Sequence, residues 1–133
     1  MAEKILYVED DPDIQVVARM ALERLGGFVV KVCSSGPEAL REAKTFVPDL
    51  VLLDVMMPEM TGPQTLQALR QLPGYASIPM LFMTAKTQKT EVEQYLQMGV
   101  LGVISKPFDP MKLASTVRAY LERSRNGAAN PTP

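Results

Sequence analysis

Asp54 closes the apolar run Leu50-Val51-Leu52-Leu53 and opens a loop that carries Met56, Pro58 and Gly62. Four aliphatic residues without polar alternation fit a strand covered on both faces, so this acid stands where the chain leaves a parallel sheet and turns back into a helix. Open parallel sheets bind ligands at that carboxyl edge. A second apolar run, Ile5-Leu6-Tyr7-Val8, ends in Glu9-Asp10-Asp11, and two later runs end in Thr84-Ala85-Lys86 and Ser105-Lys106-Pro107-Phe108. Each group alone has an ordinary explanation as a cap, a turn hydroxyl or a surface lysine. Together they offer carboxylates, a hydroxyl and an amine. Two carboxylates about 4 Å apart repel by roughly 1 kcal/mol in water and about 4 kcal/mol at an effective dielectric of 20. Three grouped acids therefore call for a bound cation. A hard divalent ion such as Mg2+ accepts one or two carboxylates, a backbone carbonyl and waters, and also binds phosphate oxygens. Lys106 would then supply a point charge for a phosphoryl group.

The composition narrows the chemistry further. The chain has no histidine, which removes Ser-His and Cys-His nucleophiles, His-ligated zinc and a histidine base. One cysteine, Cys33, excludes an internal disulfide and fits a reducing compartment. At 133 residues, 47% of them hydrophobic, the chain suits one domain with a substantial core. A net charge of −1 with scattered charges gives no basic footprint for nucleic acid and no polybasic membrane patch. The chain has neither a secretory signal nor an apolar span of about 18 residues, so a cytoplasmic location is expected.

The elements that must hold these groups alternate strand and helix. A helix opens at Asp11-Pro12, with Ile14, Val17, Ala18, Ala21, Leu22 and Leu25 at helical spacing, and ends at Gly26-Gly27. Phe28 to Val32 reads as a strand, and Ser35-Gly36-Pro37-Glu38 has the spacing of a capping box for a helix to about Phe46. After Asp54, Thr61-Gly62-Pro63-Gln64 opens a helix that buries Leu66 and Leu69. Met80 to Met83 is a strand, followed by a polar helix from about Gln88 to Met98 with Val92, Tyr95 and Leu96 on one side. Leu101 to Ile104 is the last strand. Asp109-Pro110 starts a final helix with Leu113, Val117, Tyr120 and Leu121 inward. Residues 124–133 lack apolar periodicity and are expected to form a disordered tail to a domain spanning 1–123. The alternation predicts βαβ units and a doubly wound α/β fold with a five-stranded parallel sheet and five helices. If the first and third strands are neighbours, Glu9, Asp10 and Asp54 meet at one edge.

The set Glu9-Asp10, Asp54-x-x-Met57-Pro58-x-x-x-Gly62, Thr84-Ala85 and Lys106-Pro107-Phe108 resembles the receiver domain of bacterial response regulators, the CheY-like phosphoacceptor module. The likeness covers about residues 4 to 123. It implies strand order 2-1-3-4-5 and transfer of a phosphoryl group to Asp54 from a phosphohistidine on a histidine kinase or histidine phosphotransfer protein. By matching positions, Asp10, Asp54 and the backbone carbonyl of Met56 would hold Mg2+ or Mn2+, with Glu9 acting through water. Thr84 would bond a phosphoryl oxygen, and a cis Lys106-Pro107 bond would aim the lysine inward. Phosphorylation adds roughly −1.5 to −2 charges. The resemblance implies that Thr84, Ala85 and the loop after them then shift the face of helix four, strand five and helix five, which binds a downstream target.

Val103 departs from the family, which often places a switching aromatic ring there. The resemblance places Met56 and Lys86 at positions that in the family modulate acyl-phosphate hydrolysis. The resemblance points to a stand-alone regulator that catalyses only its own phosphorylation and dephosphorylation and signals through another protein. Two alternatives stay open: an interaction module that keeps the fold without phosphorylation, and a flavin- or nucleotide-binding enzyme, for which no glycine-rich phosphate loop is present.

Overall fold

A computed structural model describes residues 2–126. Five parallel strands, β1 (Lys4–Val8), β2 (Val29–Cys33), β3 (Leu50–Asp54), β4 (Met80–Thr84) and β5 (Gly102–Ser105), form one sheet in the order β2-β1-β3-β4-β5. Five helices alternate with them: α1 (Pro12–Met20), α2 (Gly36–Glu42), α3 (Gly62–Arg70), α4 (Lys89–Gln97) and α5 (Pro110–Arg125). The doubly wound architecture and strand order agree with the sequence expectation.

The all-apolar strands are central because both faces are covered. Every residue of β3 and of β4 is buried. Ile5, Tyr7, Leu50, Leu52, Leu81, Met83 and Ile104 pack on one face with Ala18 of α1 and Leu113, Val117 and Leu121 of α5. Leu6, Val8, Val51, Leu53 and Phe82 pack on the other with Ala39 of α2 and Leu66 and Leu69 of α3.

Helix starts follow the capping chemistry. The Asp11 side chain accepts the N–H groups of Asp13 and Ile14. Thr61 and Gln64 bond reciprocally, each side chain accepting the other's backbone N–H. At α2 the box is broken: Ser35 accepts the Glu38 N–H, but the Glu38 carboxylate accepts from Ser34.

Several boundaries and faces differ from the expectation. After Met20 the first helix widens into a π-helical turn, Ala21–Leu25, before Gly26 ends it. That turn carries more residues per revolution, which rotates Leu25 off the inward stripe. Leu25 is 54% exposed, and Val17, also expected inward, is 44% exposed. β2 begins at Val29 and β5 at Gly102, each one residue later than expected. α2 stops at Glu42 rather than near Phe46, with Thr45 and Phe46 closing the end as turns onto Glu42. No α4 residue is fully buried, and Leu96 is exposed. Tyr120 is half-buried. α5 continues through Arg125 and is capped by Asn126, so residues 124–126 belong to the helix and its end rather than to a tail; residues 127–133 of that expected tail lie outside the described residues.

Candidate functional site

Register brings the acids together. Val8 pairs with Leu53 and Asp54 with Met83, so Glu9 and Asp10, just past the end of β1, lie beside Asp54. One carboxylate oxygen from each of Glu9, Asp10 and Asp54 falls within 4.8 Å of the others. Glu9 and Asp54 are buried. Glu9 Oε2 accepts the Asp11 N–H at 3.1 Å.

Lys106 reaches this cluster from the end of β5. Its Nζ lies 3.0 Å from Glu9 Oε1 and 3.2 Å from Asp54 Oδ1. The Lys106-Pro107 bond is cis, as the resemblance implies. One ammonium cannot neutralise three carboxylates. Burial, reinforced by the charge of Glu9 and partly offset by Lys106, pushes the Asp54 carboxyl up to about 7. Burial alone would lower the Lys106 ammonium, but bonding to Glu9 and the charges of Glu9 and Asp54 raise it overall, so it stays a cation.

A cleft of about 220 Å³ opens over these groups, lined also by Met56, Thr84 and Ala85. Thr84 is buried, and its Oγ1 accepts the Lys86 N–H at 3.0 Å, which ties the hydroxyl to the loop after β4. Met56 and Lys86 are exposed. Val103 is half-buried; it lines a separate groove with Val92, Leu96 and Tyr120, where the Tyr120 ring lies so close on Gly102 that a Cβ there would push the ring aside. The structure thus brings together Glu9, Asp10, Asp54, Lys106, Thr84, Ala85 and Met56, and sets Val103 apart.

Gly62 has a packing reason in addition to its turn. A Cβ there would stand 2.5 Å from the Asp54 carbonyl oxygen and 2.8 Å from Val55 Cα, so only glycine lets α3 start directly against the loop that holds Asp54.

Oxygen donors from carboxylates, with no nitrogen or sulfur ligand, suit a hard divalent cation. The uncompensated charge and the raised Asp54 carboxyl fit the same group, because a cation there would favour the ionised form.

Two features beside the site were not read from the sequence. An apolar hollow of about 500 Å³, lined by Ile14, Val17, Pro107 and Phe108, adjoins the acidic cleft through shared Ile14, Ala85 and Lys106. The Tyr7 hydroxyl is buried without a partner. The first depends on Val17 facing outward, which helical spacing argues against; the second depends on burial, which residue type does not disclose.

This constellation on a 2-1-3-4-5 sheet defines a class of phosphorylation-based signalling modules, and a family model described as the response regulator receiver domain matches residues 5–118. The chain belongs to that family, the receiver domains of two-component systems. Among particular relatives, it is 38% identical to the alkaline phosphatase synthesis transcriptional regulatory protein PhoP of Bacillus subtilis, over 96% of this chain and 52% of PhoP. It is 37% identical to the DNA-binding response regulator MtrA of Mycolicibacterium smegmatis, over 97% of this chain and 55% of MtrA. The chain therefore spans about half the length of these curated relatives. The chemotaxis response regulator CheY4 of Vibrio cholerae superposes with a TM-score of 0.84 at 30% identity, over 90% of this chain and 99% of that one. Among the described residues, no helix is long and apolar enough to cross a membrane.

Proposed function

We propose that this chain accepts a phosphoryl group on Asp54 from a phosphohistidine of a partner kinase or phosphotransfer protein, in the cytoplasm, and that the acyl phosphate alters its contacts with a downstream protein. An Asp54 carboxylate oxygen attacks phosphorus, the phosphorus–nitrogen bond breaks, and the electron pair stays with the donor imidazole. Asp10, Asp54 and the Met56 carbonyl would hold Mg2+ or Mn2+, with Glu9 acting through water. When bound, the cation would neutralise charge on the phosphoryl oxygens and keep Asp54 ionised. The chain's own contribution is placement. Lys106 turns its ammonium to a phosphoryl oxygen, and Thr84 leaves the Lys86 N–H to donate to another.

The observation that carries this reading is the Lys106 ammonium held between two buried carboxylates, at 3.0 Å from Glu9 and 3.2 Å from Asp54, beside a third acid. The histidine comes from the partner, consistent with a chain that has none. The apolar hollow between α1 and the loop before α5 offers the donor a dry seat at the mouth of the cleft. Output runs through the α4–β5–α5 face, where Thr84, Ala85 and Lys86 join the site to α4. With Val103 in place of a ring, movement of that loop and of α4 conveys the state, and exposed Met56 and Lys86 set the lifetime of the acyl phosphate. PhoP and MtrA carry names that assign them to transcription or DNA binding, and this chain matches about half of each.

Incubation with acetyl phosphate and Mg2+, followed by intact mass measurement, tests the reading. The wild type gains one phosphoryl group, whereas chelator-treated protein and Asp54→Asn do not. No adduct on the wild type would favour an interaction module that works without phosphorylation. An equal adduct on Asp54→Asn would move the acceptor elsewhere.

A further inference from the structure

The Tyr7 side chain lies on the face of β1 shared with Ile5 and, by strand alternation, Glu9. It is fully buried, and among the described residues its hydroxyl is the buried side-chain oxygen or nitrogen that lacks a hydrogen-bond partner. Such groups are rare because a buried donor without an acceptor keeps its desolvation cost. The hydroxyl is not in a purely apolar setting. Two residues on, on the same face of the strand, the chain carries the Glu9 carboxylate, which is buried as well. The hydroxyl is therefore a donor enclosed with that carboxylate at one end of the sheet, and it makes no hydrogen bond in this structure.

Glu9 is the group with room for it. Its carboxylate is buried and takes two donors, Lys106 Nζ on Oε1 and the Asp11 N–H on Oε2. A carboxylate offers about four lone-pair sites. Lys106 is shared with Asp54, and a phosphoryl group on Asp54 would bring roughly −1.5 to −2 charges and three acceptor oxygens for that one ammonium. Turning to them takes the ammonium from Glu9, whose buried carboxylate keeps the Asp11 N–H as its one remaining direct donor.

We propose that Tyr7 is a positioning residue whose hydroxyl takes over as donor to the Glu9 carboxylate when Lys106 turns to a phosphoryl group on Asp54. The inference rests on the phosphoacceptor reading above. The unpartnered hydroxyl of the resting protein becomes a reserve donor, and the handover lowers the cost of releasing the lysine. A hydroxyl tolerated only because its ring fills the core would behave differently. Its removal would then change the resting and loaded states alike.

Beryllofluoride, which adds to a carboxylate oxygen with the shape and charge of a phosphoryl group, separates these cases without turnover. With Mg2+ present, binding is read from the bound 19F resonance of wild type, Tyr7→Phe and Asp54→Asn, and resting stability from Tm without ligand. The resting Tm of Tyr7→Phe is expected to equal or exceed that of wild type, because an unsatisfied hydroxyl is removed. Half-saturation is expected to need about tenfold more beryllofluoride, the worth of one hydrogen bond to a charged group. In wild type carrying 13Cζ-tyrosine, the Tyr7 resonance, assigned by its loss in Tyr7→Phe, is expected to shift on saturation as the hydroxyl gains an acceptor. Equal half-saturation for wild type and Tyr7→Phe, or an unmoved Tyr7 resonance, overturns the handover. If wild type shows no bound 19F signal, or Asp54→Asn shows the same one, the phosphoacceptor reading itself fails and the handover falls with it.

Discussion

At the carboxyl edge of the sheet two carboxylates share one ammonium beside a third acid, whereas at the amino edge two carboxylates are surrounded by donors. There Glu3 accepts both terminal nitrogens of Arg118 at 3.2 Å and one from Arg125 at 3.1 Å. Asp49 accepts the Lys4 N–H at 2.7 Å and lies 3.5 Å from Arg125. The same chemical group, a carboxyl, is pushed opposite ways. Bonding to Arg118 draws the Glu3 carboxyl down to about 2, while burial and Glu9 push Asp54 up to about 7. One edge closes its own charge balance and ties the chain's start to α5. The other leaves a deficit of positive charge, which is where a cation and a phosphoryl group can be gained.

The largest test of this contrast removes the lysine. In Lys106→Met, Glu9 and Asp54 remain buried with no cation, and stability at pH 8 is expected to fall by about 3 kcal/mol, within the range for breaking a buried pair. The deficit should shrink by pH 5, where one carboxyl takes up a proton in compensation. Urea midpoints at the two pH values measure it, with an unchanged slope showing that the folded state is intact. A pH-independent loss would mean that the lysine's stem packing, rather than its charge, matters.

Asp54→Asn should have the opposite sign. The carboxyl moves from the usual 3.8 to about 7 on folding, so the native state binds its proton more tightly than the unfolded chain. Below pH 3.8 the shift costs nothing; the cost grows from there to pH 7 and is constant above. Asparagine carries no such cost. The variant is expected to be about 2 kcal/mol more stable than metal-free wild type at pH 8, with the advantage gone near pH 4. Saturating Mg2+ should erase the difference by stabilising only the wild type. An advantage that persists at pH 4 would remove the claim that the carboxylate is under strain of charge.

The two edges were not equally readable in advance. Glu9, Asp10, Asp54, Thr84 and Lys106 all sit at the ends of apolar runs, so parallel strands alone deliver them to one edge, and the cluster was legible before any coordinates. The strand order that makes β1 and β3 neighbours is not encoded in periodicity and came from resemblance. The amino edge was not anticipated, because Glu3 lies 115 and 122 residues from Arg118 and Arg125 and nothing in the sequence marks them as its partners. Val17 and Leu25 had the right spacing for burial; a π-helical turn displaces Leu25, and Val17 faces the hollow beside Lys106. Tyr7 looked like any strand residue until its hydroxyl proved to be enclosed.

The smallest effect belongs to the balanced edge, and it sharpens the comparison because its pH dependence runs the other way. Glu3 has a folded carboxyl near 2, drawn below the usual 4.5 chiefly by Arg118. Its stabilisation is complete above 4.5 and disappears as the pH falls through 2. The side chain is 18% exposed and its partners more so, so screening by water limits the gain. Glu3→Gln is expected to lose about 1 kcal/mol at pH 7, with the deficit narrowing between pH 4.5 and 2 and weakening in added salt. Asp54→Asn thus gains stability as the pH rises, and Glu3→Gln loses it. A Glu3→Gln deficit that persisted at pH 2 and in high salt would assign Glu3 a packing role, since Arg118 also stacks 4.5 Å from the centre of the Phe28 ring and donates to the Gly26 carbonyl.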